Sequence, residues 1–221
     1  MKSIAARRRL TGSATSLAAS SSRRIVVTAE HVLAGPEAKH LGVSRNNSVR
    51  WPEKYWRLSA IDPDLPEADV AWAVADVAAE ADDVVRAAIP LALALPIPPI
   101  AESASLVAVG YPASRGKLKN AHALLSAQLM SVVGKAVSAR VLEDLKLDPR
   151  VHLGMLYEQA ACVDLDGNPS VGAHPKGMSG GAMFLALSET LADGRTVAVP
   201  VLVGVLVQFH GPPVNVLVDR N

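Results

Sequence analysis

Gly177-Met178-Ser179-Gly180-Gly181 is the stretch on which the reading of this chain turns, because a segment far upstream answers it. That segment is Val26-Val27-Thr28-Ala29-Glu30-His31-Val32-Leu33, a β-type apolar run with a histidine at its end. Between the two lies Asp69-Val70-Ala71-Trp72, an acid that opens a second apolar run. A serine set in glycines is a weak signal alone. In the chain order histidine, aspartate, serine it becomes a candidate for nucleophilic chemistry.

The physical reason is specific. A serine hydroxyl is a poor nucleophile at neutral pH and needs a base within hydrogen-bond reach, with donors waiting for the oxyanion that forms. Ser179 is the candidate nucleophile and His31 the base. Asp69 would hold the imidazole in the correct tautomer. Gly177 lacks a Cβ and can present its amide beside that of Ser179, a pair suited to an oxyanion hole. Asp69 is chosen over Asp62, Asp64 and Asp76 because it stands where a loop enters an apolar run, a position that can bury a carboxylate beside the histidine.

Around these residues the chain punctuates as β structure. Ser13–Ala19 and Ile25–Thr28 read as two strands joined by the polar turn Ser20–Arg24, with His31 just beyond the second. Val70–Val74 reads as a buried strand, Leu106–Val109 as another, and Ala127–Ala139 as one strand or two. Leu142–Leu147 reads as a short helical turn stopped by Pro149, and Ala78–Ala88 stays undecided between helix and turn. Asp193-Gly194 is a hairpin signal. Val197–Val207 after it looks fully buried, with Pro200 expected at its start or at a bulge. The proline-rich Pro90–Pro99 is extended and divides the chain into two halves.

Three motifs resemble those of trypsin-like, chymotrypsin-fold serine peptidases of the bacterial type without disulfides. Thr28-Ala29-Glu30-His31 is similar to that family's Thr-Ala-Ala-His, with Glu30 replacing the second alanine. Asp69-Val70-Ala71 is similar to its Asp-Ile/Val-Ala, and Gly177–Gly181 to its Gly-Asp-Ser-Gly-Gly. Val109-Gly110-Tyr111-Pro112 and the strand around Leu202–Val205 are softer matches, and the likeness spans residues ~13 to ~210. It implies an all-β fold of two antiparallel β-barrels with the active site in the cleft between them. Residues 1–12 would be a frayed basic segment, 13–89 the N-terminal barrel, 90–100 a linker and 101–221 the C-terminal barrel. It further implies a serine endopeptidase acting on polypeptides through His31, Asp69 and Ser179, with Gly177 and Ser179 as the oxyanion hole. The specificity pocket would involve Ala173, His174, Gln208 and His210. No aspartate stands at Ala173, so a preference for Arg or Lys is not supported. Met178 replaces the acid that, in zymogen-activated members, pairs with a freed N-terminus.

Composition bounds the alternatives. At 221 residues the chain can bury a sizeable core, and a net charge of +1 with 4% aromatic residues gives no case for nucleic acid. The single cysteine, Cys162, forms no internal disulfide and leans toward a reducing, cytoplasmic setting. Met1–Arg24 is basic and without acids, which resembles a transit peptide in composition but lacks the apolar core of a secretory signal. No apolar stretch is long enough to span a membrane. The histidines show no metal-ligand spacing, Asp164–Pro169 fails the EF-hand pattern, and no cofactor is expected. The oligomeric state is not encoded in any pattern. Two other readings remain: a chymotrypsin-fold binding module without activity, and an esterase whose Gly-x-Ser-x-Gly elbow requires strand, serine, then helix.

Overall fold

The computed structural model describes residues 12–18, 23–34, 43–45, 48–50, 56–57, 69–76, 89–90, 93, 100–119, 124–127, 129–163, 168–212 and 216–220. The fold is all-β. Strand β1 (Thr15–Ala18) and β2 (Arg23–Ala29) form the expected hairpin, and helix α1 (Glu30–Ala34) follows directly. Strands β3 (Val43–Arg45) and β4 (Ser48–Arg50) make a separate ribbon. With β5 (Trp56–Arg57), β6 (Val70–Asp76) and β7 (Ile89–Pro90), the hairpin builds a five-stranded sheet in the order β5-β6-β2-β1-β7. Ile89 and Pro90, where the expected N-terminal barrel meets the expected linker, pair parallel with Leu17 and Ala18. The reading of residues 1–11, 78–88 and 164–167 lies outside the described residues.

The second sheet is drawn from residues 105 onward. Strand β8 (Ser105–Gly110) is followed by a ribbon of β9 (Gly116–Lys119) and β10 (Leu124–Ala127), then by β11 (Met130–Lys135). Helix α2 (Ala139–Asp144) leads to β12 (His152–Leu156), and β13 (Cys162–Val163) and β14 (Pro169–Ser170) are short. Strands β15 (Ala182–Thr190), β16 (Thr196–His210) and β17 (Val216–Arg220) complete it. The order is β12-β17-β16-β15-β8-β11-β13-β14. An isolated bridge from Ala136 to Met155 also brings the end of β11 to β12. Gly134 makes that approach possible, because a Cβ there would stand 2.2 Å from the Leu156 carbonyl oxygen.

Burial separates the two ends of the long hairpin. The principal core gathers Leu106, Ala108, Met130, Val132, Met155, Met183, Leu185, Val203 and Leu206 inside the second sheet. Smaller clusters join the sheets: Leu17 with Ala182 and Leu202, and Ala29 with Val207 and Val216. Val197–Val207 is not buried throughout, contrary to its sequence reading. Residues Thr196, Ala198 and Pro200 are exposed, and full burial begins at Leu202. Pro200 sits neither at the strand start nor at a bulge. It pairs with Ala186 in the outer arm, where among the described residues β15 is the only strand paired with β16, so one side of the strand needs no ladder. Val70–Val74 likewise alternates, with Ala71 and Ala73 buried and Val74 exposed.

Core and arm should respond differently to truncation. Met155→Ala, at a position with 0% exposure, should lower the unfolding free energy by about 2–5 kcal/mol. Leu187→Ala on the exposed arm should stay within about 0.5 kcal/mol. Urea unfolding followed by circular dichroism reads both.

Candidate active site

The register of one strand pair delivers a histidine to an aspartate. Strands β2 and β6 run antiparallel, and their last pair is Ala29 with Val70. One step beyond, the residue after β2 must meet the residue before β6. The Glu30 amide donates to the Asp69 carbonyl at 3.0 Å, and the chain then turns into α1. That turn aims two His31 donors at one carboxylate. The backbone N–H donates to Asp69 Oδ1 at 2.7 Å and ring Nδ1 meets Oδ2 at 2.5 Å. A carboxylate only accepts, so Nδ1 carries the proton and Nε2 of the neutral ring is left as the acceptor. The same register explains why Asp76 is unsuited: it lies at the far end of β6, opposite Arg23. Asp62 and Asp64 lie outside the described residues. Glu30 forms an ion pair with Arg57 of β5 at 3.3 Å, which gives the unexpected acid beside the histidine a partner of its own.

Asp69 raises the pKa of His31 above its ordinary 6.5. The hydrogen bond to the carboxylate is the larger cause, partial burial opposes it, and the carboxylate charge adds to the rise.

Ser179 arrives from the other sheet, in the loop between β14 and β15. Every carbonyl of that loop from Lys176 to Gly180 is tied. Lys176 accepts from the Ala113 amide at 2.7 Å, Met178 from the Gly181 amide at 2.8 Å, and Ser179 from the Ser13 amide at 2.6 Å. Gly177 accepts from Ser13 Oγ at 3.0 Å and Gly180 from Thr15 Oγ1 at 3.0 Å. The amides divide differently. Those of Met178, Gly180 and Gly181 donate to Pro175, Leu206 and Met178, whereas among the described residues those of Gly177 and Ser179 have no acceptor. A trans peptide points its N–H opposite its C=O. Holding Lys176 and Met178 by their oxygens therefore turns the Gly177 and Ser179 amides away from those partners.

Glycine is required at two places in this loop. Gly177 has φ of +95° and Gly180 of +87°. A Cβ at Gly180 would stand 1.9 Å from the Ser13 carbonyl oxygen, so the two backbones touch. Met178 between them is 1% exposed and packs in the principal core against Gly110.

An open cleft of about 540 Å³ gathers His31, Asp69, Gly177 and Ser179 on its lining. Ser179 makes no hydrogen bond to His31 among those of the described residues, a looseness common in serine sites without substrate. Of the residues expected to shape specificity, His174 and Gln208 line the cleft, and Ala173 and His210 do not. Ala173 packs against the core and accepts from the Tyr157 hydroxyl at 2.6 Å. His210 Nε2 is buried without a hydrogen-bond partner, and desolvation lowers its pKa. Phe209 forms the far wall, edge-on to His174 at 5.4 Å and to Tyr157 at 5.8 Å. Lys176 also lines the cleft and had no sequence signal of its own. Among the described residues no group of three or more His, Cys, Asp or Glu stands close enough to hold a metal ion. No helix of the described residues is long and apolar enough to cross a membrane.

No family model matches the chain, and no curated protein matches it. Among solved structures it is similar to a protease, Anisep, from Arthrobacter nicotinovorans. The TM-score is 0.47 and the identity 18%, over 94% of this chain and 81% of that one.

The His31–Asp69 pair has a direct readout. In an NMR titration His31 should show a midpoint above 6.5, and Asp69→Asn should move it down, because the neutral amide removes both the charge and the better acceptor. A midpoint unmoved by Asp69→Asn would mean that the pair does not form in solution.

Proposed function

We propose that this protein is a serine endopeptidase of the chymotrypsin type, hydrolysing peptide bonds through an acyl-enzyme intermediate. The two sheets are read as its two β-barrels, residues 13–89 and 101–221, with residues 90–100 between them. The Ala136–Met155 bridge supports closure of the second, since it returns β11 to β12. One observation carries the reading. The cleft that holds a hydrogen-bonded His–Asp pair also holds a serine whose own amide, with that of Gly177, has no acceptor among the described residues. A loop that ties five successive carbonyls and leaves two amides unpaired is suited to receiving an oxyanion.

In this mechanism Ser179 Oγ attacks the substrate carbonyl carbon and His31 Nε2 takes the hydroxyl proton. The developing oxyanion accepts from the Gly177 and Ser179 amides. Asp69 accepts the Nδ1 hydrogen bond and stabilises the imidazolium. His31 then protonates the leaving amine, and water repeats the sequence to release the acyl group. Among the described residues Asp69 is the only acid on the cleft lining, and it is paired with His31, so nothing described there favours a cationic side chain.

The absence of a hydrogen bond between Ser179 and His31 favours a second reading, a binding module on the same fold. The esterase reading fails on local structure: a loop precedes Ser179 and strand β15 follows it, where the elbow needs strand then helix.

Labelling with a fluorophosphonate separates the two surviving readings. Ser179 should be modified, as read by peptide mass spectrometry, and the label should vanish in Ser179→Ala and fall by about 10³-fold or more in His31→Ala. The labelling rate should rise with pH through a midpoint above 6.5, since only neutral His31 accepts the proton. Folded wild-type protein that takes no label would establish the binding module.

A further inference from the structure

Among the described residues, the hydroxyl with the most demanding surroundings belongs to Ser13, outside every motif read from the sequence. Ser13 is 6% exposed, just before β1, and its amide, hydroxyl and carbonyl are all engaged. Its amide donates to the Ser179 carbonyl at 2.6 Å. Its hydroxyl accepts from the Tyr111 amide at 2.8 Å and donates to the Gly177 carbonyl at 3.0 Å. Its own carbonyl accepts from Thr28 Oγ1 at 2.8 Å. The Tyr111 amide occupies one lone pair of the hydroxyl and so directs its proton to Gly177. These bonds join three segments: the first hairpin, the turn after β8, and the serine loop.

We infer that Ser13 is a positioning residue that sets the oxyanion-binding amides from the first strand, a role resting on the peptidase reading above. The Gly177 carbonyl and the Ser179 carbonyl flank the peptide whose N–H belongs to Ser179. That peptide is itself held through its Met178 carbonyl, by the Gly181 amide at 2.8 Å. Ser13 holds the carbonyl on each side of it. No charge can do this work beneath the loop, because Met178 occupies the core there. A neutral hydroxyl does it from the opposite side, and Gly180 must be a glycine for Ser13 to come close enough.

The test compares fluorophosphonate labelling rates of Ser179, measured well below each variant's melting temperature so that all molecules are folded. Ser13→Ala should label about 10- to 100-fold more slowly, with the pH midpoint of labelling unchanged because His31 and Asp69 are untouched. Ser13→Thr, which keeps the hydroxyl, should recover most of the rate. Met155→Ala, destabilised but outside the cleft lining, should label like wild type. Should Ser13→Ala not fold, Ser13→Cys takes its place, its weak thiol donor predicting a loss of the same sign. A wild-type rate in the Ser13 variant overturns this role and leaves the peptidase reading intact. So does an equal loss in Met155→Ala, which would make the effect one of general stability. Wild-type protein that takes no label overturns both.

Discussion

Two backbone N–H groups without acceptors are the constraint around which the serine loop is arranged. Backbone donors in a folded chain are ordinarily paired, and a short loop without constraints would relax to pair these two. Here relaxation is blocked because every carbonyl from Lys176 to Gly180 is already bonded. Rotating either peptide to find its amide a partner would break a bond on the carbonyl side. The positive φ values at Gly177 and Gly180 are part of the same arrangement, since only glycine adopts them without a steric penalty. The arrangement is local, but of the bonds that hold its carbonyls only that from Gly181 is; the others come from Ser13, Thr15 and Ala113, all distant in sequence.

That dependence divides the labour between apolar and polar contacts. The sheets are joined by small clusters, Leu17 with Ala182 and Leu202, and Ala29 with Val207 and Val216. Such burial is favourable but non-directional, and would tolerate a shift of one sheet against the other. Hydrogen bonds from Ser13 and Thr15 to the serine loop do not tolerate it. Strand register supplies the same fixity on the other wall, where the Ala29–Val70 pair leaves Asp69 no place except opposite the turn into α1. The His–Asp half is thus set by strand register, and the serine half by hydrogen bonds that include the hydroxyls of Ser13 and Thr15.

The sequence makes some of this legible and hides the rest for identifiable reasons. An acid directly before an apolar run, and a histidine directly after one, are what a strand pair needs to bring the two together, so Asp69 and His31 can be read from pattern. The glycines around Ser179 advertise unusual backbone in the same way. Ser13 carries no such mark. It lies among Thr, Ser and Ala, and its importance comes from a backbone-to-backbone approach to Gly180 that no local pattern encodes. The run Val197–Val207 misleads for the converse reason. Valine-rich alternation suits any pleated surface, and how far it is covered depends on neighbours that no local pattern encodes: β17 pairs with β16 only from Val205 on, and β8 reaches only Ala182–Leu185 of β15. Pro200 is compatible with a strand interior because, among the described residues, that part of β16 pairs only with β15.

The chemical character of the supports has a consequence for how the site responds to its surroundings. Met178 under the loop is apolar, and the groups holding the loop are amides and the hydroxyls of Ser13 and Thr15. None of these gains or loses a proton near neutrality. The bonds on the loop's carbonyls are therefore indifferent to pH and to salt across the range where a charge-based support would titrate or be screened. Sensitivity to pH concentrates instead in His31, whose imidazolium is favoured by the Asp69 carboxylate. The two halves of the site consequently answer to different variables. The His–Asp half follows proton activity, while the carbonyl supports of the serine half follow how the first hairpin and Ala113 are seated against it.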